Sequence, residues 1–191
     1  SNGGRDWSKL AVMQETTGKL NVMSSTLRNI VNQKTNEKTF GLFYLKKDSF
    51  SDLNVFLRLS KDEGKTFGEP ILVTTTPGYH VLNNDRVTQL RSGRLLVPVA
   101  SSPDVKTDNH FKSSCFISDD GGRTWRQSKG IVDYAKRGSM EPEVLELIDM
   151  TTCTQIFTIK KWCFCPRCAT YNISTCYLIV YLSTGFKSNR W

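Results

Sequence analysis

Side chains that can bind an anion or move a proton are grouped in a few short segments of the chain. The candidates are His80, Asn84, Asp85, Arg86, Asp104, Asp108, His110 and Glu141. A guanidinium group binds a carboxylate through two parallel hydrogen bonds, whereas carboxylates and imidazoles transfer protons. All of these residue types are also common in ordinary loops, so any function depends on the elements that bring them together.

Cysteines form a second group that could do chemistry. Five of the six lie after residue 150, and Cys163, Cys165, Cys168 and Cys176 offer four thiolates to a zinc ion. Their spacing lacks paired C-x2-C knuckles, and neither histidine lies nearby. Disulfides in an oxidising compartment are the alternative, with a pairing that sequence does not reveal. The sequence therefore specifies no metal site and no cofactor.

An eight-residue turn recurs with its residue order intact. Residues 60–67 and 118–125 both read S-x-D-x-G-x-T-[FW] and start 58 residues apart, and a weaker third copy ends at Trp7. The Asp carboxylate can accept hydrogen bonds from its own loop, glycine supplies a positive φ, and the aromatic residue anchors the hairpin in a core. A repeat of this period predicts stacked supersecondary units.

The repeated turn resembles the Asp-box, or BNR repeat, of sialidases and related β-propellers. In that family the Asp-box joins the third and fourth strands of a blade without touching substrate, so Asp62 and Asp120 are expected to be structural. The resemblance is sharpest at residues 83–98 and 140–147 and covers residues 1–147. It implies an all-β fold: an incomplete six-bladed β-propeller with two to three four-stranded antiparallel blades.

Apolar runs of strand length lie between the Asp-boxes, as blades require. These runs are residues 39–45, 55–59, 94–100 and 111–117. They are rich in β-branched and aromatic residues. The predicted innermost strands are residues 21–29, 86–90 and 141–147. We therefore predict two complete blades, at residues 21–75 and 86–132, followed by the first strand of a third.

Within the resemblance, a register count selects residues for the propeller axis. In sialidases an Arg on the first strand of a blade precedes a core Leu by four positions. The same count from Leu90, Leu145 and Leu27 gives Arg86, Glu141 and Met23. Arg86 and Glu141 are therefore expected to face one central pocket.

The resemblance also implies roles for these residues. Arg86 is expected to clamp the carboxylate of sialic acid, Glu141 to supply an axial carboxylate, and Asp104 or Asp108 to act as general acid and base. The residues expected to bind substrate or shape the pocket mouth are His80, Asn84, Asp85 and His110. The nucleophilic Tyr and the remaining arginines lie beyond the resemblance, so the chain as written is expected to be inactive.

The end of the chain departs from the family pattern. The last 41 residues contain no Asp or Glu and carry +5 of the net charge of +8. In related proteins an Asp-Gly turn and another Asp-box follow the strand at residues 141–147, whereas here residues 148–152 replace the turn and no later box appears, although six repeats would need about 350 residues. We predict a partial propeller at residues 1–147 and an aberrant Cys-rich basic tail at residues 148–191, explained by a frameshift, read-through or assembly error.

Charge and hydropathy limit the partners. Basic residues are dispersed along the chain, and most of the net excess of positive charge lies in the tail, so nucleic acid is not predicted as a partner. The apolar run at residues 176–182 is too short to span a bilayer. The sequence shows no signal peptide and leaves the location open, a secreted or extracytoplasmic protein included.

Three functions are compatible with the resemblance. The first is an exo-α-sialidase-type glycoside hydrolase that removes terminal sialic acid from glycoconjugates. The second is a related hydrolase that acts on another glycan, which the Met at position 23 favours. The third is a non-enzymatic propeller that binds glycans or proteins.

Overall fold

The computed structural model describes residues 3–7, 9–146, 153–159 and 176–182. The strands in chain order are β1 (Asn21–Asn32), β2 (Glu37–Lys47), β3 (Leu53–Ser60), β4 (Ile71–Leu72), β5 (Tyr79–Val81), β6 (Thr88–Gln89), β7 (Leu95–Ser102), β8 (Lys112–Ser118), β9 (Arg126–Gln127), β10 (Met140–Glu146), β11 (Cys153–Ile159) and β12 (Cys176–Leu182). The fold is all-β, and these residues contain no helix.

Two antiparallel meanders of four strands correspond to the predicted blades. The first blade runs β1-β2-β3-β4 and the second runs β6-β7-β8-β9. Strand β5 joins them into one sheet, because Tyr79 pairs in parallel with Leu53 and in antiparallel with Ser102. The predicted limits of both blades enclose these strands, which confirms this part of the sequence analysis.

A second sheet has the order β10-β11-β12. Its first strand, β10, falls where the first strand of a third blade was predicted. Strands β11 and β12 come from the segment predicted to be an aberrant tail. Both pair in antiparallel register, with Cys153 opposite Glu146 on one side and Leu182 on the other. The tail thus adds two strands where the sequence predicted only the first strand of the blade.

The main hydrophobic core lies between the first and second blades. Alternate residues of β3, namely Leu53, Val55 and Leu57, are buried in it, as expected for a strand with one covered face. Residues 95–100 of β7 are all buried, because the second blade is covered by the first blade on one face and by β10 on the other. The smaller core beside β10 contains Leu96, Cys115 and Val144.

Both predicted Asp-boxes form the same hydrogen-bonded turn. The Asp120 carboxylate accepts hydrogen bonds from the backbone N–H and the hydroxyl of Thr124, at 3.0 and 2.6 Å. Asp62 accepts the same pair of bonds from Thr66, at 2.9 and 2.6 Å. The Thr66 bonds, with one from Ser60, lower the pKa of Asp62 from near 3.8 to about 2. Each carboxylate therefore closes its own loop, as the sequence predicts.

The glycine and the aromatic residue of the second Asp-box also take their predicted places. Gly122 has a φ of 91° and its carbonyl accepts a hydrogen bond from Trp125 Nε1 at 2.9 Å. The Trp125 ring is 9% exposed and meets Phe43 edge to face, with 6.1 Å between ring centroids. The turn is thereby fixed to the main core.

The amino-terminal copy keeps the turn but not the anchor. Gly3 and Gly4 have φ values of 71° and 80°, close to the 74° and 91° of Gly121 and Gly122. Trp7, however, is 88% exposed. The expectation that Trp7 packs in a core is wrong in this structure, because none of the described strands covers the ring.

Replacing Gly122 by Ala tests the role of the Asp-box glycine. A Cβ there would lie 2.6 Å from Leu57 Cδ2, in a backbone conformation that L-residues rarely adopt. We expect Gly122→Ala to lower the free energy of unfolding in urea by about 1–3 kcal/mol. Gly68→Ala is the matched control, since its Cβ would meet the Leu59 carbonyl oxygen at 3.4 Å without a positive φ. Equal losses in the two variants would contradict this role.

Candidate active site on the innermost strands

The Asp-boxes and the candidate site loops lie at opposite edges of the blades. At one edge Phe40 pairs with Ser60 and Leu95 with Ser118, and these serines begin the two boxes. At the other edge the end of β7 pairs with the start of β8. We call this second edge the loop edge; it comprises residues 19–24, 48–52, 103–111 and 130–139. The loop that carries Asp104 and Asp108 belongs to it.

Arg28 of β1 connects the first blade to the segment that enters β6. Its guanidinium donates to the Asp85 carboxylate, to the Asp85 carbonyl at 2.9 Å and to the Val87 carbonyl at 2.8 Å. The Asp85 N–H in turn donates to the Thr26 hydroxyl at 2.8 Å. Asp85, predicted to bind substrate, is therefore paired with a neighbouring blade. Sequence analysis did not single out Arg28.

Arg86 forms an ion pair with Glu143 across the second and third blades. Arg86 Nη1 donates to Glu143 Oε1, and the two side chains are 40% and 46% exposed. Arg86 thus lies two residues before β6, in the segment that enters this innermost strand, and is open to solvent. Its carboxylate partner is Glu143, whereas the sequence count selected Glu141.

Neighbouring innermost strands are joined by hydrogen bonds from side chains to the backbone. Gln89 of β6 accepts from the Val31 N–H at 3.1 Å and donates to the Val31 carbonyl at 2.8 Å. Glu146 of β10 accepts from the Arg91 N–H at 3.1 and 3.2 Å. Glu146 therefore holds the third blade to the second as Gln89 holds the second to the first.

This repeated contact explains why Glu143 stands beside Arg86. Gln89 and Glu146 are 57 residues apart, as are Arg86 and Glu143. The sequence count matched core leucines that are only 55 residues apart, although the Asp-boxes recur after 58. The box spacing was therefore the better guide. Strand β10 also has an irregularity between Met140 and Pro142, and such a bulge shifts a residue count.

The first blade shows a similar shift. Asn29 pairs with Phe40, and Gln89 pairs with Leu95. Phe40 and Leu95 are equivalent because each also pairs with the first serine of an Asp-box. Thr26 is three residues before Asn29, just as Arg86 is three before Gln89. A bulge between Met23 and Thr26 separates Met23 from this position. Thr26, not Met23, therefore corresponds to Arg86 in the first blade.

Left-handed backbone conformations recur where the chain enters the innermost strands. Ser24, Asp85 and Glu141 have φ values of 54°, 62° and 56°. Non-glycine residues rarely adopt this conformation, and such strain is concentrated at functional sites. The recurrence in all three blades marks the entry to these strands as a constrained region that includes Asp85 and Glu141.

The carboxylates of Asp104 and Asp108 take part in the turns of their own loop. Asp104 accepts from the Lys106 N–H at 2.8 Å, and Asp108 accepts from the His110 N–H at 3.0 Å. The Val105 N–H donates to the Phe50 carbonyl at 3.0 Å and ties this loop to the first blade. Within the described residues, neither carboxylate contacts Arg86 or Glu143.

The two histidines have opposite environments. His80 is 2% exposed, donates from Nε2 to the Thr76 carbonyl at 2.8 Å and accepts from the Ser101 hydroxyl at 2.7 Å. Burial lowers the pKa of His80. Both ring nitrogens are thus used inside the protein, although the sequence suggested a role in substrate binding.

His110 is at the surface and connects two loops of the loop edge. Its Nδ1 donates to the Lys136 carbonyl at 2.7 Å, and its Nε2 donates to Asp133 Oδ1 at 2.5 Å. Two donated bonds favour the imidazolium, so the Lys136 carbonyl and the Asp133 carboxylate raise the pKa of His110. Asp133, which sequence analysis missed, also pairs with Lys112.

Cavities, metal ligands and membrane segments add little to the site. Clefts of about 340 and 540 Å³ are lined mainly by β1 and β2, and neither is lined by Arg86 or Glu143. In the described part of the chain, no group of His, Cys, Asp and Glu could hold a metal. Of the four cysteines considered as zinc ligands, Cys163, Cys165 and Cys168 lie outside it. No helix in that part is long and apolar enough to cross a membrane.

The chain is similar to a known family over most of its length. The family described as a BNR repeat-like domain matches residues 1–157, which extends into β11. No curated protein matches the chain.

Solved structures with a similar fold include the following two. A protein of unknown function from Dyadobacter fermentans DSM 18053 superposes with a TM-score of 0.55 at 17% identity, over 72% of this chain and 43% of that one. The Hadza microbial sialidase Hz136 superposes with a TM-score of 0.56 at 17% identity, over 82% of this chain and 34% of that one. At these identities the likeness establishes the fold alone. The chain spans less than half the length of either structure.

The two histidines are expected to titrate on opposite sides of pH 6.5. An NMR titration should give a pKa above 6.5 for His110 and below 6.5 for His80. The tether of His110 is therefore complete at low pH and is lost as pH rises through the raised value. Asp133→Asn should lower the pKa of His110 and leave that of His80, which serves as internal control. A His110 pKa unchanged by Asp133→Asn would refute the pairing.

Proposed function

Because the chain belongs to the family of BNR repeat-like domains, we propose that it forms part of a glycan-active propeller of the exo-α-sialidase class. Such a protein removes terminal sialic acid from glycoconjugates. In this proposal Arg86 binds the sugar carboxylate, and the partner is a sialoglycoconjugate. The nucleophile is not assigned to a residue of this chain.

The proposal rests on the N–H donors of the Arg86 guanidinium and on how few of them have a protein partner. Only its Nη1 has a protein partner among the described residues, namely Glu143. The remaining N–H donors, on a side chain that is 40% exposed, are available to a ligand. A planar guanidinium with adjacent free donors matches a carboxylate in two parallel bonds.

The other residues predicted from the sequence are given different roles in the proposal, and one of them is left out. We assign the general acid and base to Asp104 or Asp108, because their loop lies at the loop edge and a carboxylate there can exchange protons with a bound sugar. Glu141 supplies a further carboxylate at the strained entry to β10. The residues assigned to the pocket mouth are Asn84, Asp85 and His110. We leave His80 out, since its ring nitrogens are engaged in the interior.

A hydrolase for another glycan is the second candidate. The positions equivalent to Arg86 hold Thr26 in the first blade and Glu143 in the third, so neither adds a second guanidinium. A carboxylate beside Arg86 can accept hydrogen bonds from the hydroxyl groups of a neutral sugar. A single guanidinium with a carboxylate beside it therefore favours the second candidate, a hydrolase whose substrate has no carboxylate.

Arg86→Met tests the proposed carboxylate site. We expect the chain to bind N-acetylneuraminic acid, followed by NMR titration, and the variant to bind it about ten- to hundredfold more weakly. The reason is that a hydrogen bond to a charged group contributes about 1.5–3 kcal/mol. Arg126→Met is the control, because Arg126 is exposed and pairs with Asp119 at the Asp-box edge.

The methyl ester of the same sugar and free galactose complete the test. Loss of affinity for the ester would support recognition of the carboxylate. Binding of galactose that depends on Arg86, without preference for the acid, would favour the second candidate. Equal affinity of the wild type and Arg86→Met for N-acetylneuraminic acid would contradict the role of Arg86.

A further inference from the structure

Arg28 holds the backbone on both sides of Arg86. The two carbonyls that its guanidinium binds, at 2.9 and 2.8 Å, belong to Asp85 and Val87, the residues before and after Arg86. One rigid planar group therefore holds the peptide unit directly before the Arg86 Cα and the peptide unit that follows Val87. The Arg86 Cα lies between these two held peptide units, which constrain the backbone that directs its side chain.

The held conformation is one that the segment would rarely adopt by itself. Asp85 has a φ of 62°, in the left-handed region that L-residues avoid. Its carboxylate and carbonyl are bound by Arg28, and its N–H is bound by Thr26. Contacts from β1 thus hold Asp85 through its N–H, its carbonyl and its side chain. Without Arg28, two of these three contacts are lost.

We propose that Arg28 is the positioning residue for Arg86. By fixing the carbonyls of Asp85 and Val87, it sets the direction in which Arg86 presents its free donors to an anionic group. The identity of that group rests on the proposed function, whereas the effect of Arg28 on Arg86 does not. Sites that bind through a guanidinium depend on such support, because small displacements weaken the two parallel bonds together.

The test compares three variants of the full chain. Arg28→Met removes the donors and keeps the length of the side chain, and Arg28→Lys keeps the charge without the planar fork. Arg94→Met is the matched control, since Arg94 forms an ion pair with Asp119 at the Asp-box edge and its side chain is 28% exposed, as is that of Arg28. The readouts are the NMR signal of Arg86 Nε–Hε, the Kd for N-acetylneuraminic acid and the Tm.

We expect Arg28→Met to shift the Arg86 Nε–Hε signal and to raise the Kd about tenfold or more. Arg94→Met should lower the Tm about as much as Arg28→Met does, and it should leave both the Arg86 signal and the Kd unchanged. Arg28→Lys should resemble Arg28→Met in the signal, because one ammonium does not reproduce the fork. If Arg28→Met does not fold, the Arg86 Nε–Hε signal in Arg28→Lys decides whether Arg28 positions Arg86.

An Arg86 signal that is unchanged in the Arg28 variants would overturn the inference. A full return of signal and Kd in Arg28→Lys would overturn it too, since charge alone would then suffice. Equal losses in Arg94→Met would reduce the effect to general destabilisation. If the wild type binds no N-acetylneuraminic acid, the proposed function fails, and the Arg86 signal by itself still supports or overturns the role of Arg28.

Discussion

The innermost strand of each blade is an edge strand. The backbone N–H and C=O groups on one of its sides therefore face no neighbouring strand. Such groups need partners, because an unpaired edge strand is a template for unwanted association and an unpaired polar group is costly when shielded from water. Gln89 meets this need by bonding both the N–H and the carbonyl of Val31. Glu146 repeats the device at Arg91. These contacts set how one blade stands against the next, and the site depends on them.

The consequence is a row of charges of alternating sign that runs from β1 through the segment before β6 to β10. Arg28 pairs with Asp85, and Arg86 pairs with Glu143, so each pair joins two consecutive blades. Both pairs are partly exposed, so their contribution to stability is modest and their geometry matters more. An anionic ligand at Arg86 must approach against the charge of Glu143. The same carboxylate would help to hold the hydroxyl groups of a sugar.

Local features of the fold were predictable from sequence because single turns encode them. Asp62, Asp120 and Gly122 adopt the geometry that their types and order demand, and strands fill the predicted blades. Trp7 has the same local signal and is nevertheless exposed, because packing of an anchor requires a partner that a turn does not encode.

The site was less predictable because it depends on register across blades. A β-bulge adds a residue to a strand, so counting from a core leucine led to Glu141 and Met23, whereas the contacts involve Glu143 and the ladder selects Thr26. The burial of His80 and the pairing of His110 with Asp133 also arise from contacts between distant segments.

Amide hydrogen exchange at Val31 tests most directly whether side chains join the innermost strands. The Val31 N–H donates to Gln89 Oε1 at 3.1 Å, on the side of β1 that has no strand neighbour. We predict slow exchange at Val31 in the wild type and, in Gln89→Met, exchange that is about tenfold faster or more, since about 1.4 kcal/mol corresponds to a factor of ten. Other β1 amides that pair with β2 should be unaffected. Fast exchange at Val31 in the wild type, or the same rate in Gln89→Met, would contradict this account of how the blades are joined.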